Sequence, residues 1–166
     1  MPDRLYLFDT VTLSNFALTD AINLLVQRYQ DRLLITSEVL DEIAEGIACG
    51  YTSLTEIEKF VDKKTFPYVI LDSAERQIFH QLLRTLDSGE ASCIAAATGR
   101  NGIVVTDDRV ARTACEEREL RFTGTIGILK ASCNDKLISP EEADKLLKQM
   151  EENGFYSPVK RISDIL

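Results

Sequence analysis

The chain of 166 residues has no tryptophan, one histidine, four cysteines and no long apolar run. Each shortage removes a class of function. The lone histidine, His80, and the cysteines Cys49, Cys93, Cys115 and Cys133, none in a Cys-x-x-Cys pair, exclude a zinc site of the usual kind and leave the thiols as reduced packing residues. No stretch reaches the length that spans a bilayer, and Met1-Pro2-Asp3-Arg4 has no basic region ahead of a hydrophobic core, so the chain reads as soluble and cytoplasmic, with no membrane partner. Basic residues are in deficit, 19 against 27 acidic, and the formal net charge of −8 excludes a protein that coats nucleic acid through a basic footprint. It leaves room for an enzyme that meets a phosphate backbone through metal ions and a few local cations. The Gly-x-x-x-x-Gly-Lys-Ser/Thr loop of P-loop nucleotidases is also missing.

What remains is a globular composition, 45% hydrophobic and 28% charged, at the length of one domain over residues 1–166. Leu5-Tyr6-Leu7-Phe8 and Ile103-Val104-Val105 are rich in β-branched or aromatic residues and read as buried strands. Residues 32–36 and 121–123 read as two more, and 66–71 as an edge strand, because Pro67 has no N–H to give to a ladder. The spacing of Leu13, Phe16, Ala17, Leu24 and Leu25 predicts one helix over 13–29. Val39, Leu40, Ile43 and Ile47 mark another that ends near Gly50, and Ser53-Leu54-Thr55-Glu56 fits a capping box that opens a third. Helices are expected over 73–86, 90–98, 109–119 and 125–133, with a turn at Asp87-Ser88-Gly89; Ser139-Pro140 opens a last one that stops at Asn153-Gly154. The alternation predicts a three-layer α/β/α sandwich around a central, mostly parallel sheet.

Asp9 closes the first buried run and Asp107-Asp108 close the other. In an open parallel sheet the carboxyl ends of the strands line the ligand crevice, so acids from distant parts of the chain meet there. Glu42 lies at the margin of an apolar helix face, with Asp41 beside it, and Glu90 follows Ser88-Gly89 in a first helical turn, where the helix dipole favours a carboxylate. Taken singly, each reads as a helix cap. Together, with no histidine or cysteine pair offering rival chemistry, they point to a hard divalent cation held by oxygen. Thr10 and Thr106 suit hydrogen bonds to a carboxylate or a scissile phosphate, or plain strand-end capping. Arg109 and Arg112 suit a phosphate backbone, or pairing with Glu116 or Glu119 on their own helix. The Gly124-Thr125 turn opens a helix whose free N–H groups suit a phosphate, or is only a tight turn.

The order Phe8-Asp9-Thr10, Val39-Leu40-Asp41-Glu42-Ile43, Ser88-Gly89-Glu90-Ala91-Ser92-Cys93-Ile94-Ala95 and Thr106-Asp107-Asp108-Arg109-Val110-Ala111-Arg112 resembles the acidic signature of PIN domains. Thr123-Gly124-Thr125-Ile126-Gly127 and Gly154-Phe155 narrow the likeness to prokaryotic PIN-like proteins related to VapC-type toxins. The resemblance implies a PIN-like fold and a metal-dependent endoribonuclease that hydrolyses RNA phosphodiester bonds. It further implies that Asp9, Glu42, Glu90 and one or both of Asp107 and Asp108 hold Mg2+ or Mn2+. A cognate antitoxin protein, a toxin–antitoxin role and a homodimer belong to the same expectation. The alternative, a catalytically silent PIN-like binding module, would show the loss of one or more acids, and here every position is acidic.

Overall fold

The strands are short, two to four residues each, and those that end at Phe8 and Val105 are followed by a carboxylate, at once or after one residue. β1 (Tyr6–Phe8), β2 (Leu33–Thr36), β3 (Tyr68–Val69), β4 (Ile103–Val105) and β5 (Phe122–Thr123) form one sheet, all parallel, in the order β3-β2-β1-β4-β5. This is the computed structural model of residues 4–166; Met1, Pro2 and Asp3, read above as part of a chain start without a leader, lie outside the described residues. Central β1 pairs with β2 and β4, placing Leu7 beside Leu34 on one side and Val104 on the other. Leu7, Phe8 and Val105 are fully buried, as parallel strands covered on both faces require.

Nine α-helices are described: α1 (Thr10–Leu18), α2 (Ile22–Tyr29), α3 (Ser37–Ala48), α4 (Thr55–Asp62), α5 (Ser73–Leu82), α6 (Ser88–Arg100), α7 (Arg109–Glu117), α8 (Thr125–Asn134) and α9 (Pro140–Glu152). They complete the expected three-layer α/β/α arrangement. Helix α6 packs across β1, β2 and β4 and against α3, α5 and α7. Its run Ala91–Ala97 is buried without a break, and the small side chains let backbones approach from several sides at once. Shortening Ile94, the one bulky residue of that run, would cost about 2–4 kcal/mol through the cavity it leaves. Among the described residues no helix is long and apolar enough to cross a membrane.

The chain steps from β1 to β2 to β3, then returns to the opposite side of β1 for β4 and β5. That reversal puts the topological switch point between β1 and β4, where connections diverge and a crevice opens at the carboxyl ends of the strands.

Three local expectations give way. The single helix over 13–29 is two: Thr19 ends α1, Asp20 takes a positive φ of 58°, and the N–H groups of Asp20 and Ala21 close on the carbonyls of Ala17 (3.2 Å) and Phe16 (2.7 Å). This is a Schellman closure with aspartate in the place glycine usually holds, a signal that apolar periodicity does not contain. Ser53 caps nothing, because Thr52–Leu54 form a 3-10 turn and Leu54, without a side-chain cap, leads into α4. The turn expected at Asp87-Ser88-Gly89 belongs to α6, with Asp87 as its cap. The edge position of β3 agrees with the reading of Pro67.

Candidate functional site

Five acids singled out in the sequence reach one cleft of about 580 Å³ at the switch point: Asp9, Glu42, Glu90, Asp107 and Asp108 all line it. Asp41, beside Glu42, is exposed and does not.

Asp9 leaves β1 and caps α1, accepting the Thr12 N–H at 2.8 Å, while its own N–H extends the sheet to the Val105 carbonyl at 3.1 Å. It is 4% exposed. Burial pushes its carboxyl up to about 6, with Asp107 adding repulsion, against the opposing pull of hydrogen bonds from Thr106 and Thr12. Glu90 sits in the first turn of α6 and is pushed up to about 8, first by burial, then by Asp87, Asp108 and Asp9. Two carboxyls are thus destabilised as anions by their surroundings, and negative neighbours contribute to both.

Glu42 comes from the second turn of α3 and is held by three donors. The Thr10 hydroxyl reaches Oε1, and the Gly89 N–H (3.1 Å) and Ser88 hydroxyl (3.3 Å) reach Oε2. Gly89 is needed for this: a Cβ there would overlap the Glu42 carboxylate. Asp107 is held by the start of α8, accepting the Thr125 N–H at 2.9 Å on Oδ1 and the Thr125 hydroxyl at 2.6 Å on Oδ2. Asn15 donates to the Thr125 hydroxyl at 3.1 Å and approaches Asp107 Oδ2 at 3.5 Å. Gly124 opens the space, since a Cβ there would overlap both Asp107 and the Arg112 guanidinium. Asp108 caps α7 through Ala111 N–H at 2.8 Å and stays exposed.

The structure chooses between the alternatives left open for the other predicted residues. Thr106 is 1% exposed and bonds Asp9 and the Asp108 N–H (3.2 Å), and Thr10 bonds Glu42, so both threonines serve carboxylates. The N–H expected to face a phosphate at Gly124-Thr125 is taken by Asp107 instead. Arg112 pairs neither with Glu116 nor with Glu119: it donates to the Thr106 carbonyl at 2.9 Å, lies 3.7 Å from Asp107 and stacks over Phe122. Arg109 is exposed, and neither arginine lines the cleft. The cysteines are all free, Cys93 and Cys115 buried and Cys49 exposed, and His80 is exposed on α5.

Sequence reasoning overlooked Asn15, Ser88 and the support role of Thr125, whose partners are distant in the chain. It also overlooked Asn153–Tyr156 as cleft wall, although Gly154-Phe155 had already stood out. Among the described residues no group of three or more Asp, Glu, His or Cys side chains draws together into a ready-made cation cage.

Parallel sheet, switch-point cleft and acidic lining define an α/β protein with a carboxylate-lined crevice. The PIN-domain family profile matches residues 5–166, and the chain belongs to that family, whose members are generally nucleases. VapBC2 from Rickettsia felis, in its structure bound to a DNA fragment from their promoter, is similar at 13% identity and a TM-score of 0.50, over 72% of this chain and 98% of that one. PAE2754 from Pyrobaculum aerophilum is similar at 18% identity and a TM-score of 0.46, over 66% of this chain and 85% of that one. No curated protein matches the sequence. At these identities the likeness is one of fold.

Proposed function

We propose that the protein is a Mg2+- or Mn2+-dependent endoribonuclease, with Asp9, Glu42, Glu90, Asp107 and Asp108 as its acidic site. The observation that carries this reading is the convergence of five carboxylates at the switch point, with no lysine or arginine lining the cleft. Burial first, and the neighbouring acids after it, oppose the ionisation of Asp9 and Glu90, and a bound cation would relieve both. The donors suit a hard divalent ion, being oxygen throughout, and their spread suits magnesium, which keeps several waters and takes only one or two carboxylates directly. When bound, the ion supplies positive charge against a phosphodiester and makes water a better nucleophile near neutral pH.

The chain's own residues do the positioning. Thr10, Ser88 and Gly89 fix the Glu42 oxygens, Thr125 and Asn15 fix Asp107, and burial with Thr12 and Thr106 fixes Asp9. Locked carboxylates keep the site in working geometry before substrate arrives. Glu90, the least tethered by hydrogen bonds and the most strongly raised, would hold a proton at neutral pH in the ion-free protein and release it as an ion binds. Arg109, exposed beside Asp108, is placed to meet a backbone phosphate outside the cleft.

The same acidic cleft supports an antitoxin partner, a basic segment that sets a lysine or arginine among the carboxylates, as the likeness to VapC-type proteins implies. A homodimer belongs to this reading. Retention of all five acids weighs against a silent binding module.

Asp9→Asn tests the reading. Mn2+-dependent cleavage of single-stranded RNA should fall by about 1,000-fold or more, the loss expected when a group acting directly on the reacting centre is removed. The fold should remain intact by circular dichroism. Cleavage at the parent rate would remove Asp9 from the site and the proposal with it.

A further inference from the structure

We infer that Tyr51 and Tyr156, two unpaired rings lining the acidic cleft, are stacking platforms for the unpaired bases of a single-stranded nucleic acid. The inference rests on the nuclease reading and deepens it by naming two residues that would hold the substrate's bases. Both tyrosines line the cleft that holds the five carboxylates, and they come from different parts of the chain. Tyr51 follows α3, and Tyr156 lies in the segment that leaves α9. They are 57% and 91% exposed, among the most exposed large hydrophobic side chains of the protein. Among the described residues neither hydroxyl has a hydrogen-bond partner and neither ring has an aromatic or cationic neighbour, although Tyr6, Tyr29, Phe8, Phe60, Phe66 and Phe122 all do.

Their backbones are held while their rings are left out. Tyr51 N–H closes α3 on the Gly46 carbonyl at 3.1 Å, and Tyr51 in turn accepts the Leu54 N–H at 3.1 Å. The segment bearing Tyr156 is pinned on one side by Phe155 N–H to the Met150 carbonyl at 3.0 Å. On the other side Ile162 is fully buried, and Asp144 accepts from the Ser163 N–H (3.0 Å) and hydroxyl (2.7 Å). A fixed ring in water gives up exposed apolar area for nothing in the isolated protein, and becomes useful when a flat partner covers it.

Charge selects the partner's chemistry. Among the described residues the cleft wall carries five acids and no lysine or arginine, so inside the cleft the positive charge a polyanionic backbone meets is a bound cation's. The uncharged part of the nucleotide supplies further affinity there, because a base stacks its face on an aromatic ring whatever its identity. A duplex hides those faces inside its own stack, which makes the preference one for single strands. Stacking does not distinguish ribose from deoxyribose.

The test uses the full chain carrying Glu90→Gln to prevent turnover. Its probe is a single-stranded octaribonucleotide bearing 2-aminopurine, with Mn2+ present and a hairpin duplex and the matching DNA strand as comparisons. Quenching of the 2-aminopurine on binding is expected, with the duplex bound much more weakly. Tyr156→Ala or Tyr51→Ala should weaken single-strand binding about tenfold and relieve the quenching, whereas Tyr→Phe, which keeps the ring, should stay within about twofold of the parent. Equal affinity for the alanine variants, or phenylalanine variants as weak as alanine, would overturn stacking and leave the nuclease reading standing. Absence of both RNA binding and Mn2+-dependent cleavage in the parent would overturn both. Alanine variants that bind RNA normally but lose a co-purifying protein would assign the rings to that protein and overturn the inference.

Discussion

Glu75 and Asp9 are both buried carboxylates, 1% and 4% exposed, and the protein treats them in opposite ways. Glu75, near the start of α5, receives a bidentate arginine: Arg100 Nε lies 2.9 Å from one oxygen and a terminal nitrogen 3.0 Å from the other. It also completes a capping box with Asp72, bonding its N–H at 3.0 Å, and Gly99 leaves room for the carboxylate against α6. Asp9 faces Asp107 and Glu90, and its hydrogen-bond donors are the neutral Thr106 and Thr12. The first arrangement ties α5 to the end of α6. The second leaves Asp9 without a cationic partner, the Arg112 guanidinium lying 3.7 Å from Asp107 instead, which is what a cation-binding face needs and a purely structural one avoids.

The sharpest way to separate these two roles is to disturb each in turn. Gly89→Ala drives a Cβ into the Glu42 carboxylate, so cleavage should fall by about 100-fold, as misplacement by an ångström can do, while the far side of the molecule is unaffected. Parent-level kcat/KM in this variant would show that Glu42 placement is not needed. Glu75→Gln should instead spare cleavage and lower stability by about 2–3 kcal/mol, read from urea unfolding. That is less than for a fully buried pair, because the Arg100 side chain is 31% exposed and can turn to water. Unchanged stability would reduce the Glu75–Arg100 pair to a surface ornament.

Acid titration gives a smaller and opposite signature. Asp9 and Glu90 have folded values near 6 and 8, above their ordinary 3.8 and 4.5, so the folded protein binds more protons than the unfolded chain between those limits. Stability they contribute is fully present below about pH 4 and is lost as pH rises through 6 for Asp9 and 8 for Glu90. The ion-free protein should therefore lose about 1–2 kcal/mol between pH 5 and pH 8, at about 1.4 kcal/mol per pKa unit for Asp9 from pH 5 to 6, with partly exposed Glu90 adding little because solvent screens it. Asp9→Asn should flatten the lower half of that decline, and millimolar Mn2+ should raise Tm most at the alkaline end, because it binds the ionised site of the folded state alone. Thermal melts across pH with and without Mn2+ would check this; a flat profile would mean the acids are already neutralised by something within the fold.

Glu42 and Glu90 lie within helices and stood out by their order along the chain, whereas Asp9 and Asp107-Asp108 were legible before any fold was known, because a strand that ends in a carboxylate is a pattern within a few neighbouring residues. Strand identity was legible for the same reason, and so was the edge position of β3 through Pro67. The break between α1 and α2 was not, since it depends on Asp20 accepting a left-handed backbone that apolar spacing does not report. Nor were the supports of Glu42 and Asp107: Ser88 and Thr125 look like any hydroxyl beside a glycine until chain segments 46 and 18 residues away are brought against them.

By itself the sequence determined which side chains carry charge, which runs are apolar enough to be buried, and that glycine stands at 89 and 124. Those properties are local and need no partner. The tertiary structure decided that β4 returns to the far side of β1, so that Asp9 and Asp107 share a crevice, and that Glu75 meets Arg100 while Asp9 meets other acids. The reason is physical: the energy of a buried charge depends on what lies within a few ångströms of it, and that neighbourhood is made by strand order rather than by chain order.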